Sequence, residues 1–365
     1  MEIRVNRSEF LAELLPMQGI VERKTTIPIL SHLLLATRGE RLHLAATDLD
    51  VSLTSSVAGD IASEGSLAVQ AKKFVEIIRA LDADEVLLTR EDGNTLAIKA
   101  GSSRFKIRGL AAEDFPNLPE IDSSAALDLP FAAFKRMIGK VLFAVSAEES
   151  RFQLNGALLK LRPGVTTMVA TDGHRLALVD AASPGVTVED QVLVPRKALG
   201  ELLRFDGEDT IAYRRGPHHL SFRLGRRELI CRILEGTFPD YERVIAKDND
   251  RRVTFDRKRF SEALGRVALL TGERARGVRL QIDGDEAVVS AMNPDLGEAS
   301  ERVPCSYGGS EIRVGMNPDY IQQFLAAVDT EQVRFELKDE NSQCLGFPVD
   351  GNDQRYLCVI MPMRL

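Results

Sequence analysis

Apolar residues recur three and four apart in six stretches of the chain and alternate with polar residues between them. Phe10 with Leu11, Leu14 and Leu15, Phe134 with Met137, Ile138 and Val141, and Phe260 with Leu264 and Val267 each make one stripe of an amphipathic helix. A second kind of helix follows a strand end. It runs from Val69-Gln70-Ala71-Lys72-Lys73-Phe74 into Ile77-Ile78, from Val194-Pro195-Arg196-Lys197-Ala198-Leu199 into Leu202-Leu203, and from Val314-Gly315-Met316-Asn317-Pro318-Asp319 into Ile321 and Phe324-Leu325. Helices are therefore expected over 7–20, 72–81, 131–143, 196–205, 257–266 and 318–328. Period two takes over elsewhere, as in Leu42/Leu44/Ala46, Leu220/Phe222/Leu224 and Val333/Phe335/Leu337, and predicts half-buried strands. Asp92-Gly93-Asn94 and Asp283-Gly284-Asp285 supply turns.

The pattern is threefold. Leu44-Ala45-Ala46-Thr47-Asp48-Leu49-Asp50 recurs as Met168-Val169-Ala170-Thr171-Asp172-Gly173-His174 and more faintly as Val289-Ser290-Ala291-Met292-Asn293-Pro294-Asp295, at offsets of 124 and 121. Phe115-Pro116-Asn117-Leu118 and Phe238-Pro239-Asp240-Tyr241 close the first two copies. Domains are expected at 1–122, 123–247 and 248–365, joined by the Pro- and Asp-containing stretches Pro116 to Pro130 and Pro239 to Asp250. Each would hold two helices and about eight short strands, an α+β domain with helices on one face of antiparallel sheet.

At 365 residues the chain is long for a single core. It holds no apolar run near the roughly 20 residues of a membrane helix. Its start, Met1-Glu2-Ile3-Arg4-Val5, reads as a strand rather than a signal peptide, so a cytoplasmic location is expected. Cys231, Cys305, Cys344 and Cys358 lie far apart with no metal-ligand spacing, which predicts reduced thiols, no metal and no cofactor.

The net charge of −7 argues against general affinity for polyanions. The six helical stretches carry −1, +2, +3, +2, +3 and −1, a sum of +8, which leaves −15 on the remainder. If those helices line one surface, that surface is positive on a negative body and suits phosphate contact without base readout. Aromatic residues do not interleave with these bases, so duplex is favoured over single strand. Solvated helix faces are also often basic, and on charge alone the two readings stay level.

The chain resembles the bacterial DNA polymerase III beta subunit family, the sliding clamps. The resemblance spans the whole chain. It rests on Thr26-Ile27-Pro28-Ile29-Leu30, Ala46-Thr47-Asp48-Leu49, Asp114-Phe115-Pro116-Asn117-Leu118, Leu154-Asn155-Gly156, Thr171-Asp172-Gly173-His174-Arg175-Leu176, Val194-Pro195-Arg196-Lys197, Phe238-Pro239-Asp240-Tyr241, Arg276-Gly277-Val278-Arg279-Leu280 and Met361-Pro362-Met363-Arg364-Leu365. It implies the DNA clamp fold, a head-to-tail homodimer closing a six-domain ring around double-stranded DNA, and a non-catalytic processivity factor. It also implies docking of the replicative polymerase, the clamp loader and repair proteins through short linear motifs. The residues that match the family's peptide pocket are Leu154, Thr171, Gly173, His174, Arg175, Leu176, Pro239, Arg243, Val244, Val359, Ile360, Met361, Pro362, Met363 and Arg364, an adaptable apolar groove with Arg and His as rim donors. DNA contact falls to Arg23 and Lys24 in a loop and to Lys72, Lys73, Lys135, Arg136, Arg196 and Lys197 on helices. The subunit contact falls to Arg104, Phe105 and Ile107 facing Leu269, Leu270, Glu298 and Glu301, an apolar centre with a charged rim. Glu148-Glu149 stand where the family offers a polar DNA contact, and Tyr356 and Cys358 also depart from its pattern.

Two other classes compete. A hydrolase or metalloenzyme would use Asp48, Asp50, Asp172 and His174. Asp48 and Asp172 are repeat-equivalent, however, and a Thr-Asp pair commonly caps a turn. The third copy has Asn293, and no Walker-type, GxSxG, HExxH or GxGxxG sequence occurs. A peptide-binding scaffold that does not encircle DNA differs from a clamp only in topology. As core strands, Phe105, Ile107 and Ile360-Met361 would need no interface or pocket at all.

Overall fold

The computed structural model describes the chain except for residues 23–24, 122–125, 149, 273–275, 352–353 and 365. Six α-helices appear among the described residues: α1 (Arg7–Ile20), α2 (Ala71–Ala80), α3 (Phe131–Val141), α4 (Arg196–Leu202), α5 (Arg257–Ala268) and α6 (Pro318–Ala327). Local chemistry sets their starts. Asn6, Gln70, Asp256 and Asn317 each accept a first-turn backbone N–H with the side chain, which satisfies a donor that the helix leaves open. In α2 the buried residues are Ala71, Phe74, Val75 and Ile78, the three-and-four spacing of one stripe.

The chain divides into two compact units, residues 1–132 with 197–233, and residues 133–196 with 234–365. The first holds a 13-stranded sheet and the second a 12-stranded sheet, with antiparallel pairing between neighbouring strands. Neither unit follows one sequence repeat, because each sheet runs on through a seam between strands far apart in the chain. In unit 1, strand Val51–Ala58 pairs with strand Arg227–Arg232, with Val51 opposite Cys231 and Thr54 opposite Glu228. In unit 2, strand Arg175–Ser183 pairs with strand Arg355–Ile360, with Leu176 opposite Val359 and Leu178 opposite Leu357. Backbone ladders across these joints satisfy polar groups that would otherwise lie at sheet edges.

The core is aliphatic and aromatic. Phe10 meets Phe74 edge to face at 5.8 Å, and Phe255, Phe260, Phe324 and Phe335 pack as one aromatic cluster. Cys231, Cys344 and Cys358 are buried in it as free thiols whose pKa values burial pushes upward.

Candidate functional site

The unit 2 seam begins at a tight turn. Thr171 Oγ1 donates to the Arg175 carbonyl at 2.6 Å, and Asp172 Oδ1 accepts the N–H groups of His174 and Arg175 at 2.9 and 3.0 Å. Gly173 sits at φ +90°, where a side chain would be strained. Past the turn, alternation sends Leu176 and Leu178 to one face, where they join Leu154, Leu158, Val169, Leu193, Phe238, Leu345, Leu357 and Val359 in a buried apolar cluster. Leu234, Tyr241, Ile245, Ala246 and Phe347 pack against it and are themselves partly exposed.

Of the sequence-predicted groove residues, Leu154, Leu176 and Val359 form this floor, while Pro239, Arg243, Val244, His174, Met361 and Arg364 are exposed. The terminal segment is tied down by main-chain bonds from Met361 N–H to the His174 carbonyl at 2.9 Å and from Met363 N–H to the Gly315 carbonyl at 2.8 Å. Pro362 and Met363 are half-buried. Two expected members stand apart. Ile360 and Arg175 pair with each other on the opposite face. Arg175 is buried, bonded to Asp172 at 3.1 Å, to the Phe143 carbonyl at 2.5 Å and to Gln323, with its guanidinium 4.4 Å from the centre of the Tyr320 ring. It braces the turn and is no rim donor. Leu178, Leu345, Leu357 and Phe347 were missed, although the period-two pairs Leu176/Leu178 and Leu357/Val359 signal two of them.

The same face of the unit 1 seam is polar. Glu228 accepts from Ser221 at 2.6 Å and from Arg223 at 2.9 Å, and Arg214 lies 3.5 Å away. Burial raises its pKa, and these donors more than offset the rise, so it stays ionised below the ordinary range. A cavity of about 950 Å³ opens there, larger than the 480 Å³ hollow beside Arg243 in unit 2, but Arg38, His43, Arg226 and Glu113 stand on its walls. Volume alone does not make it an apolar binding site.

The carboxylates of the enzyme reading are spent on turns. Asp48 Oδ1 accepts from Asp50 and Val51 N–H at 3.0 and 2.6 Å, and its other oxygen takes the Lys197 ammonium. No group of three His, Cys, Asp or Glu residues able to hold a metal occurs among the described residues.

Lys72, Arg136 and Arg196 are exposed on α2, α3 and α4, Lys73 is exposed and paired with Glu76 at 2.7 Å, and Lys135 is half-buried. Lys197 is committed to Asp48 and to the Ile20 carbonyl. Lys140 is buried against Tyr356 and paired with Asp329, and Arg257 caps carbonyls of the α6 end. Part of the helical charge therefore serves packing. Arg23, Lys24 and Glu149 lie outside the described residues.

Besides the end strands of each sheet, two strands within the sheet order leave a long edge open among the described residues. Strand Ser103–Leu110 uses residues 103–108 to pair on one side only, and strand Gly297–Tyr307 does the same along 297–304. Arg104 and Phe105 are exposed on the first, with Ile107 half-buried, and Glu298 is exposed on the second, with Glu301 bonded to Arg266 at 2.6 Å. Leu269 is 78% exposed and Leu270 half-buried beside α5, and Met292 and Leu296, not singled out in the sequence, are 78% and 62% exposed.

Comparison with known proteins gives the family. Residues 1–119, 128–240 and 242–364 match the models of the N-terminal, central and C-terminal domains of the DNA polymerase III beta subunit. The chain is 38% identical to the beta sliding clamp of Pseudomonas aeruginosa and 33% identical to that of Escherichia coli, each covering both proteins in full. Its structure superposes with a TM-score of 0.93 on the Pseudomonas aeruginosa sliding clamp bound to griselimycin, at 37% identity over the whole of both chains.

Proposed function

The chain belongs to the DNA polymerase III beta subunit family, and from that premise we propose that it is a sliding clamp: a ring of two copies, joined head to tail, that encircles duplex DNA and tethers the replicative polymerase. It is a processivity factor and not an enzyme. The observation that carries the partner-binding half of the reading is the apolar cluster of the unit 2 seam, roofed by partly exposed apolar side chains, with the exposed Val244 next to Ile245 in the chain and the exposed Met361 two residues past Val359. Polymerase, clamp loader and repair proteins dock there through short linear motifs, using Leu154, Leu176, Pro239, Val244, Val359 and Met361. The open edges 103–108 and 297–304 supply the contact between copies, because strand addition satisfies both rows of main-chain groups. Arg104, Phe105, Ile107, Leu269, Leu270, Glu298 and Glu301 form this contact. Lys73, Lys135, Arg136 and Arg196 face the phosphates, a contact to which the sequence also assigns Arg23 and Lys24; Lys72 and Lys197 contribute their field more than a direct bond. The three repeats, 1–122, 123–247 and 248–365, make six domains in the ring, and the protein works in the cytoplasm at the nucleoid.

Griselimycin, bound by the related clamp, is a direct probe. Hydrogen exchange should slow in 171–176 and 357–363 on its addition and stay unchanged in 51–58 and 227–232. Protection confined to the unit 1 seam would refute the groove. Sedimentation should give the mass of two chains, and a monomer at every concentration would refute the ring.

A further inference from the structure

Both seams are braced in the same way at the turn that precedes the first seam strand. In unit 1 the Lys197 ammonium, on the second residue of α4, bonds the Asp48 carboxylate and, at 2.6 Å, the carbonyl of Ile20 at the end of α1. In unit 2 the Arg175 guanidinium bonds the Asp172 carboxylate at 3.1 Å and the carbonyl of Phe143, just past the end of α3, at 2.5 Å. Each brace is a cation that joins a carboxylate to the carbonyl end of a helix, where the helix dipole also favours positive charge.

A third copy of this arrangement is present in halves. The turn at Asn293 keeps the backbone plan: Asn293 Oδ1 accepts the Asp295 N–H at 2.9 Å, as Asp48 accepts that of Asp50 and Asp172 that of His174. The strand after it, Gly297–Tyr307, is open along 297–304. The side chain, however, is an amide where the other two turns carry a carboxylate. The matching cation lies in the repeat that carries the other open edge. Lys72 is the second residue of α2, as Lys197 is of α4, and it is exposed with no hydrogen-bond partner among the described residues.

Resting on the two-copy ring above, we propose that the contact between copies is this same seam with its brace deliberately weak. Lys72 of one copy meets the Asn293 turn and the carbonyl end of α5, near Leu270, of the other. The carboxamide offers its N–H₂ where Asp48 offers its second oxygen, so the ion pair of the intrachain seams is lost. Seams whose two strands belong to one chain can carry strong braces. The seam that must part to admit DNA carries a neutral one, and Asn293 sets how readily it opens.

Subunit exchange between donor- and acceptor-labelled full-length dimers tests this. Asn293→Asp restores the residue type of the other two turns, so the fold is kept, and should slow exchange roughly fivefold at low salt, with less slowing as salt rises. Lys72→Ala in the Asn293→Asp background should abolish that gain. Exchange that is no slower in Asn293→Asp, or a gain that survives Lys72→Ala, would overturn the brace and leave the dimer standing. Absence of any dimer would overturn the ring reading and the brace with it.

Discussion

The two intrachain seams share one backbone plan and have opposite interiors. Where unit 2 sets Leu176, Leu178, Leu345, Leu357 and Val359, the matching register positions in unit 1 hold Ser52, Thr54, Ser221, Glu228 and Ile230. The opposite face repeats the contrast. In unit 1 the buried Glu13 accepts from Ser55 at 2.6 Å and from Arg227 at 2.8 and 3.0 Å; in unit 2 the counterpart of Arg227 is Tyr356, whose hydroxyl donates to the Lys140 carbonyl at 3.1 Å. Main-chain ladders alone suffice to join the repeats, so the side chains on a seam are free to diverge. One seam has spent them on a closed network of charge. The other has kept an apolar floor that something else can cover.

The largest expected effect breaks the charged seam. Arg227→Ala leaves Glu13 buried without its cation and should cost unit 1 about 3–5 kcal/mol in denaturant unfolding. Tyr356→Phe, which loses one hydrogen bond, should cost unit 2 about 1 kcal/mol. Equal costs would mean that the two seams do not differ in kind. Next, deletion of Met361 to Leu365 should weaken binding of a polymerase-derived peptide about 100-fold in calorimetry while leaving the dimer intact; unaltered affinity would remove the groove from unit 2. Phe105→Ala with Leu270→Ala should shift the sedimenting mass toward monomer, with about 30-fold weaker association, and a dimer of undiminished strength would clear those residues of the contact. The smallest effect concerns pH. Glu228 titrates below its ordinary 4.5 in the folded chain, so its stabilisation is present at neutral pH and is lost as pH falls below that value through the lowered one. Glu228→Gln should flatten the acid limb of unit 1 stability, and an unchanged limb would show that the cluster contributes nothing there.

Much of this was legible in the sequence. The three-and-four spacing placed all six helices, α1 to the residue and α4 three residues too long. The Thr-Asp turns were readable as caps, and Asp48 and Asp172 act so. The seams were not legible, because period two shows which face of a strand is buried and not which distant strand lies beside it. Arg175 was misread for the same reason: its partners Gln323 and Phe143 are remote in sequence, so a charge next to a groove motif looked like a rim donor. Counting helical charge likewise could not show that Lys140, Lys197 and Arg257 are committed to internal carbonyls and carboxylates.

Encirclement is a topological property, and one measurement addresses it directly. The protein is loaded onto nicked circular DNA by a clamp loader, the DNA is cut once, and the protein retained on it is measured. A ring is predicted to leave through the new ends, so retention should collapse after linearisation. Retention that is the same before and after the cut would contradict encirclement and leave only a surface that adheres to DNA.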